Sequence, residues 1–285
     1  NALSVDVEEY FQVSAFEGQI TREQWHVWPS RVELATNQLL DLFAAYDTKI
    51  TFFTLGWIAE RFPALVRRMV DEGHEVGCHG YQHIRIDEQS PEEFRADIKL
   101  RKQLPEDVRG VAIDAYRAAS ISTNTSNLWA FKEIEEAGFV YSSSVYPVKH
   151  DLYGIPDAPR TPYRPAAAAN LLEIPVTTAR IAARNVPAGG GGYFRLFPYS
   201  LSRALLRRVN QIEGQPANMY FHPWEFDPEQ PRPPGISLKT RFRHYLNQGR
   251  ALKRMERLLQ DFSWAPFKTV YAEHFPAQEN ALAGS

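Results

Sequence analysis

The chain has 285 residues, 44% of them hydrophobic, which is enough for a sizeable core in one large domain. Its 32 basic and 34 acidic residues nearly cancel, so no excess of charge points to nucleic acid or an anionic membrane surface as a partner. A single cysteine, Cys78, excludes a disulfide framework and a thiolate-rich metal site, and no run of about 18 apolar residues predicts a membrane span.

The first predicted element is a strand in Leu3 to Phe11, LSVDVEEYF, where apolar residues alternate with polar ones. Residues two apart on a strand point to the same side, so Asp6 and Glu8 project together from its end. Two carboxylates this close raise each other's pKa unless a cation or a donor lies between them. The pair fits either a solvated strand end or a metal ligand next to a base.

Three segments then predict a helix followed by a short strand, namely 31–55, 63–79 and 127–145. Pro63 suits the first position of a helix, and Gly73 suits a helix C-cap. Ser90 and Glu93 predict a capping box at the start of a further helix. Helices that alternate with short apolar strands favour a mostly parallel sheet or barrel.

The second half of the chain predicts further strands within 171–179 and 218–223, and one long helix from about Leu238 to Leu259. Three intervening segments are rich in proline or glycine, and we predict long surface loops at 146–169, 187–200 and 222–235. Their aromatic residues can either stack on sugar rings or pin the loops to the body of the protein.

We expect a single domain over residues 1–275, including a C-terminal extension from about residue 225, because no segment has the composition of a linker. Residues 276–285 are small and polar and predict a disordered tail. No signal peptide is visible, which favours the cytoplasm slightly over the periplasm. The oligomeric state stays open.

The segment GHEVGCHGYQH, residues 73–83, places two histidines four residues apart directly after a predicted strand. This spacing allows the imidazoles of His79 and His83 to reach one ion. Two histidines and one carboxylate form a familiar zinc-binding set that leaves a position open for water. The alternative is two unrelated surface histidines. We interpret His74, at the start of the same strand, as structural.

With AYRAAS (115–120) and MYFHPWEFDP (219–228), these segments occur in an order and rough spacing that resemble the polysaccharide deacetylase family (NodB homology, carbohydrate esterase 4). The chain is most similar to the subgroup of bacterial exopolysaccharide loci that carries its own C-terminal extension. The resemblance covers nearly the whole chain. It implies an α/β fold, a distorted (β/α) barrel with a C-terminal helical extension packed on it and the site at the carboxyl ends of the strands.

The resemblance also implies roles for individual residues. Asp6 would be the catalytic base, and His79 and His83 would be metal ligands. Some members place the third ligand two residues after the base, which is Glu8 in this chain. The implied cofactor is one divalent metal ion, with Zn²⁺ favoured and Co²⁺, Ni²⁺ or Fe²⁺ as alternatives.

The resemblance assigns roles to three further residues. Arg117 matches the arginine that orients the base, and His222 matches the histidine that protonates the leaving amine. Ser120 matches the residue whose backbone amide contributes to the oxyanion hole. Many relatives have Pro-Tyr where Ala119 and Ser120 stand, so this part of the site departs from the family pattern.

The implied reaction is metal-dependent hydrolysis of the N-acetyl amide of amino sugars in a bacterial polysaccharide or its precursor, with release of acetate. Trp224 and Tyr193 are candidate contacts to the oligosaccharide substrate, and either Asp151 or Glu225 would be the acid beside His222. Two alternatives stay open, namely a small-molecule amide hydrolase on the same scaffold and a non-catalytic carbohydrate-binding protein.

Overall fold

The computed structural model describes residues 1–99 and 113–275, so the predicted tail at 276–285 lies outside the described residues. The strands are β1 (Ala2–Val7), β2 (Thr51–Thr54), β3 (Glu75–Cys78), β4 (Ala115–Tyr116), β5 (Tyr141–Ser142), β6 (Leu172–Glu173), β7 (Thr178–Ile181), β8 (Arg184–Pro187) and β9 (Asn218–Phe221). Within this part of the chain, seven strands pair in parallel in the order β6-β5-β4-β3-β2-β1-β9. β7 and β8 form a separate antiparallel hairpin.

The parallel sheet curls into a half-barrel. The side-chain amide of Asn218, in β9, donates hydrogen bonds to the carbonyls of Ile174 at 3.2 Å and Pro175 at 2.9 Å, directly after β6. These bonds connect the two edge strands of the sheet, β6 and β9, which do not pair through backbone hydrogen bonds. The predicted α/β barrel is therefore confirmed.

Helices surround the sheet, and among the described residues none is both long and apolar enough to cross a bilayer. The α-helices are Val32–Ala45, Gly56–Arg61, Pro63–Asp71, Ala130–Glu136, Gly191–Leu196, Tyr199–Arg207, Leu238–Tyr245, Gln248–Asp261 and Phe267–Val270, and residues 91–99 are also helical. The 3-10 helices are Ser14–Phe16, Arg22–Val27, Ile86–Glu88, Ala119–Ile121, Pro223–Phe226 and Ala272–His274, and a π-helical turn spans Arg208–Ile212.

The alternation in β1 separates two environments. Leu3, Val5 and Val7 belong to the large core between the sheet and its helices. On the opposite, concave side, Ala2 packs with aromatic and aliphatic residues of the other strands and with Phe267, which the C-terminal helix supplies. Ser4 and Asp6 share that concave side, and so the strand pattern directs polar groups into the barrel.

Glu9 shows why the acids that end β1 are not all available for chemistry. Its fully buried carboxylate accepts hydrogen bonds from the backbone N–H groups of Arg31 at 3.0 Å and Val32 at 3.2 Å and from the Ser30 hydroxyl. These donors lie at the start of the helix Val32–Ala45, where unpaired N–H groups and the helix dipole favour an anion. Glu9 is therefore a structural cap.

The predicted helix–strand segments and the capping box of Ser90 and Glu93 are confirmed. The single helix from Leu238 to Leu259 is wrong, because the chain breaks at Asn247, whose φ of 55° is left-handed. The predicted loop at 187–200 is also partly wrong, since Gly191–Leu196 is helical. The hairpin of β7 and β8 has no counterpart among the predicted elements.

His74 lies apart from the polar end of the barrel and supports the start of β2. Its Nδ1 accepts the backbone N–H of Ile50 at 3.1 Å, which requires an unprotonated nitrogen. Burial lowers the pKa of His74 to about 4, from an ordinary value of 6.5. Between these two values the unfolded chain binds more protons than the folded chain, so stability falls as the pH falls through this window.

We expect the His74→Gln variant to lose less stability than the wild type between neutral pH and pH 4, because the glutamine amide oxygen can accept the same hydrogen bond without titrating. The difference should correspond to about 3 kcal/mol. Thermal unfolding followed by circular dichroism across this pH range measures it. Parallel pH profiles for the two proteins would contradict this role of His74.

Candidate metal centre and active site

The candidate site lies at the carboxyl ends of neighbouring parallel strands, where a (β/α) barrel presents its functional groups. Asp6 and Glu8 come from the end of β1, His79 follows β3, Arg117 follows β4 and His222 follows β9. Since these strands are adjacent or nearly so in the sheet, the fold brings the five residues together.

The carboxylate of Glu8 and the imidazoles of His79 and His83 form a buried cluster in which one ligand atom from each residue lies within 4.8 Å of the others. Oε2 of Glu8 is 2.9 Å from Nε2 of His83 and 4.0 Å from Nε2 of His79. The backbone turns sharply between the histidines, with φ of 76° at Gly80 and 53° at His83. A loop therefore achieves the convergence that the four-residue spacing predicts.

The protonation of these groups fits a divalent cation. His79 Nδ1 lies 3.0 Å from the carbonyl of Arg117, a bond that places the proton on Nδ1 and leaves the Nε2 lone pair facing the cluster. Burial lowers the pKa of His79 to about 4, so the ring is neutral at neutral pH. Oε2 of Glu8 is buried and faces Nε2 of both His83 and His79.

Burial would raise the pKa of Glu8, but the imidazoles of His83, His222 and His79 outweigh it and hold the pKa well below its usual range. A buried carboxylate that stays ionised beside two imidazoles is a donor set suited to a metal ion.

Asp6 is held by the guanidinium of Arg117, which is completely buried. One terminal nitrogen of Arg117 donates to Oδ1 of Asp6 and to Oγ of Ser4, both at 2.7 Å. The other terminal nitrogen donates to Oγ of Ser143 at 2.8 Å, and Nε donates to the Ser143 carbonyl at 2.9 Å. This arrangement fixes one oxygen of Asp6 and leaves Oδ2 facing His222, whose Nε2 is 3.9 Å away.

His222 lies between two sets of carboxylates. Its Nε2 faces Asp6 and Glu8, with Oε1 of Glu8 at 3.8 Å, and its Nδ1 is 3.3 Å from Oε2 of Glu225. Arg195 holds the other oxygen of Glu225 through Nε at 2.8 Å. Burial alone would lower the pKa of His222, but Glu8, Glu225 and Asp6 together raise it to about 9. The imidazole is therefore a proton donor at neutral pH.

The structure decides between the two candidate acids beside His222. Asp151 forms ion pairs with Lys239 at 2.8 Å and Arg243 at 3.1 Å, and its side chain is 44% exposed. Glu225 is buried and contacts His222 directly. The acid next to His222 is therefore Glu225.

Arg195 is a site residue that the sequence did not predict. The run of four glycines before it could have indicated a close approach of the backbone to the site. A Cβ atom at Gly191 would overlap the Glu225 carboxylate, so only glycine allows the helix Gly191–Leu196 to approach this closely. Gly190 also has a φ of 88°, which glycine tolerates best. The glycine run thus lets Arg195 reach Glu225.

The three remaining predicted site residues, Ser120, Tyr193 and Trp224, differ in backbone conformation and in how their side chains pack. Ser120 has a left-handed backbone, φ 52° and ψ 23°, and its Oγ lies 2.8 Å from Oγ of Ser14. Tyr193 is partly buried, edge-on to the Tyr146 ring at 6.2 Å. Trp224 is 9% exposed, and its ring stacks on His222 rather than standing free.

Comparison with family models divides the chain in two. A model described as polysaccharide deacetylase matches residues 28–139, and a model described as a domain of unknown function (DUF3473) matches residues 143–272. A peptidoglycan-N-acetylglucosamine deacetylase of Bacillus cereus is 35% identical over 77 residues, which are 27% of this chain and 28% of that protein. The match thus spans less than a third of that relative's length.

Two solved structures share the fold. A family 4 carbohydrate esterase from Streptomyces lividans has a TM-score of 0.50 at 14% identity, covering 93% of this chain and 90% of that one. An allantoinase has a TM-score of 0.57 at 17% identity, covering 98% and 90%. At these identities the likeness establishes the fold alone. Together with the two family models, it leads to one conclusion: the chain contains a region that matches polysaccharide deacetylases (residues 28–139), followed by a region that matches a domain of unknown function (residues 143–272), on a fold that it shares with a family 4 carbohydrate esterase.

Proposed function

We propose that this protein hydrolyses the N-acetyl amide of amino sugars in a bacterial exopolysaccharide or its precursor, releasing acetate in a metal-dependent reaction. The observation that carries the proposal is the Arg117-held Asp6 placed beside Glu8, His79 and His83, with Nε2 of His222 facing its free oxygen. The Bacillus cereus relative, a deacetylase of N-acetylglucosamine in peptidoglycan by name, supports this substrate class. The exopolysaccharide context rests on the resemblance to the subgroup with a C-terminal extension.

Glu8, His79 and His83 would hold the metal ion, for which we propose Zn²⁺ because two imidazoles and one carboxylate are a common zinc-binding set. Co²⁺, Ni²⁺ and Fe²⁺ accept the same ligands. When bound, such an ion supplies Lewis-acid chemistry by lowering the pKa of water toward about 7 and polarising a carbonyl.

Asp6 acts as the general base. Its Oδ1 is engaged by Arg117, so Oδ2 is the oxygen that takes a proton from the attacking water. The water oxygen bonds to the acetyl carbon, and the carbon–nitrogen bond then breaks. His222 gives its Nε2 proton to the sugar nitrogen, which leaves as an amine, and the acetyl group leaves as acetate.

Two further residues complete the proposed site. The backbone amide of Ser120 would donate to the oxyanion, a contribution typically of about 3 kcal/mol for one donor. The left-handed conformation at Ser120 is of the kind that concentrates at functional sites, where neighbouring structure holds it in place. Tyr193 would contact the sugar through its exposed part.

We also propose that residues 1–275 form one structural and catalytic domain. The parallel sheet supports this, because β1 pairs with β2 on one side and with β9 on the other. Strands on both sides of the boundary between the family models, near residue 140, therefore share one sheet. The same sheet places His222 from the second part against Asp6.

The metal proposal predicts that the purified protein holds about one equivalent of a divalent transition metal. His79→Ala should lose it, because the buried ring supplies one of the three ligand atoms, whereas Asp6→Asn should keep it. His26→Ala, at an exposed position, is the matched histidine control and should also keep it. Elemental analysis of the four proteins measures the content. Equal metal content in His79→Ala and the wild type would contradict the ligand set.

The base proposal predicts that Asp6→Asn lowers the rate of acetate release from acetylated chito-oligosaccharides by about 10²- to 10⁴-fold. Asparagine preserves the size of the side chain and an oxygen for Arg117, but it cannot take up the proton. Asp41→Asn, whose side chain is 71% exposed, should keep normal activity. A fully active Asp6→Asn variant would remove Asp6 from the role of base. Ring opening of allantoin to allantoate by the wild type, without acetate release from the sugars, would favour the small-amide alternative.

The contact between Gly191 and Glu225 predicts a difference between neighbouring glycines. Gly191→Ala should displace the Glu225 carboxylate from His222 and lower kcat by up to about 100-fold, because small misplacements of catalytic groups are costly. Gly192→Ala should have nearly normal kcat, since a Cβ there meets no atom within 4 Å. Steady-state kinetics of the two variants tests this, and equal kcat values would show that Glu225 does not position His222.

A further inference from the structure

Trp224 lies in the 3-10 turn Pro223–Phe226, directly after β9, and its indole reaches across to the end of β1. The indole Nε1–H donates a hydrogen bond of 2.9 Å to Oε1 of Glu8. Both side chains are buried, so this bond is shielded from water.

We propose that Trp224 is a positioning residue for the metal ion, which aims the carboxylate of Glu8 at the two histidines. The proposal rests on the proposed metal site. A glutamate side chain has one more rotatable bond than an aspartate side chain. Each freely rotating bond makes the orientation of the carboxylate less well defined. Because Trp224 holds Oε1, the other oxygen is turned toward His83, 2.9 Å away. Hydrogen bonds of this outer kind typically change metal affinity by about 10- to 100-fold.

Several contacts fix the position of Trp224. Its ring stacks on His222, with centroids 4.9 Å apart and planes 17° apart, and on His244, at 4.2 Å and 12°. The Trp224 carbonyl accepts hydrogen bonds from the side-chain amides of Gln230 at 2.6 Å and Gln248 at 3.2 Å. Gln230 is in turn bonded to Nε2 of His244 at 2.7 Å. We call Gln230, His244 and Gln248 the Trp224 clamp.

The clamp gives the C-terminal helices a role in the chemistry. His244 lies on the helix Leu238–Tyr245 and Gln248 begins the helix Gln248–Asp261, and neither helix is part of the barrel. All three clamp residues are buried although they are polar, and each is hydrogen-bonded. They belong to the segment 143–272, whose family model has no described function. We therefore assign to this part of the segment the orientation of a ligand in the metal centre.

The variant Trp224→Phe tests the inference, because phenylalanine keeps a ring between the imidazoles and removes only the N–H donor. Trp264→Phe is the matched control, since the indole of Trp264 is also buried and donates to the Leu258 carbonyl at 3.0 Å, away from the site. Zinc affinity is measured for both by competition with a chromophoric chelator. We expect zinc to bind Trp224→Phe about 10- to 100-fold more weakly than wild type and to bind Trp264→Phe equally well. Equal affinity in Trp224→Phe would overturn the inference.

A second measurement needs no variant. In ¹⁵N-tryptophan-labelled wild type, which has six tryptophans, we expect zinc to shift one indole N–H signal far more than the others. No shifted indole signal on zinc binding would overturn the inference even if Trp224→Phe fails to fold. A wild type that binds no zinc would overturn the metal site and this inference together, whereas zinc binding that ignores Trp224 would overturn this inference alone.

Discussion

The fully buried ion pair between Arg117 and Asp6 is the interaction on which the site depends. A guanidinium inside a barrel is costly unless each of its donors is satisfied. Here Ser4 and Asp6 on β1 and Ser143 after β5 accept those hydrogen bonds, so the charge joins strands that are not sequence neighbours. Removal of either charge would leave the other buried without a partner, which typically costs about 3–5 kcal/mol.

The charges around this pair explain why the site suits a cation. Two of its three buried carboxylates have an arginine of their own, since Arg117 pairs with Asp6 and Arg195 pairs with Glu225. In the described part of the chain, Glu8 forms ion pairs only with histidines. Buried charges are normally paired or bound to metal, and Glu8 is the carboxylate that lacks a permanent cation.

The sequence predicts much of this centre because its signals are local. Alternation along β1 places Asp6 and Glu8 on one side, and the family resemblance adds Arg117 and His222. Parallel strands then bring these positions to one edge of the sheet. These expectations therefore require no knowledge of which distant residues contact one another.

The parts that the sequence does not predict depend on tertiary contacts. The apolar pattern continues from 238 to 259, but the helix breaks at Asn247, and Arg195 binds the freed carbonyls of His244 and Leu246 at 2.8 Å. An aromatic residue in a loop next to a histidine suggests a sugar platform. The role that we propose for Trp224 instead rests on its contact with Glu8, 216 residues away in the sequence.

The central claim is that Glu8, His79 and His83 bind one divalent ion beside Asp6. The most direct measurement is anomalous diffraction at the zinc edge from crystals of the zinc-loaded protein. The account predicts one strong anomalous peak within bonding distance of Oε2 of Glu8 and Nε2 of both histidines, about 2.0–2.2 Å from each. A peak bound elsewhere, or none at this position in zinc-saturated crystals, would contradict it.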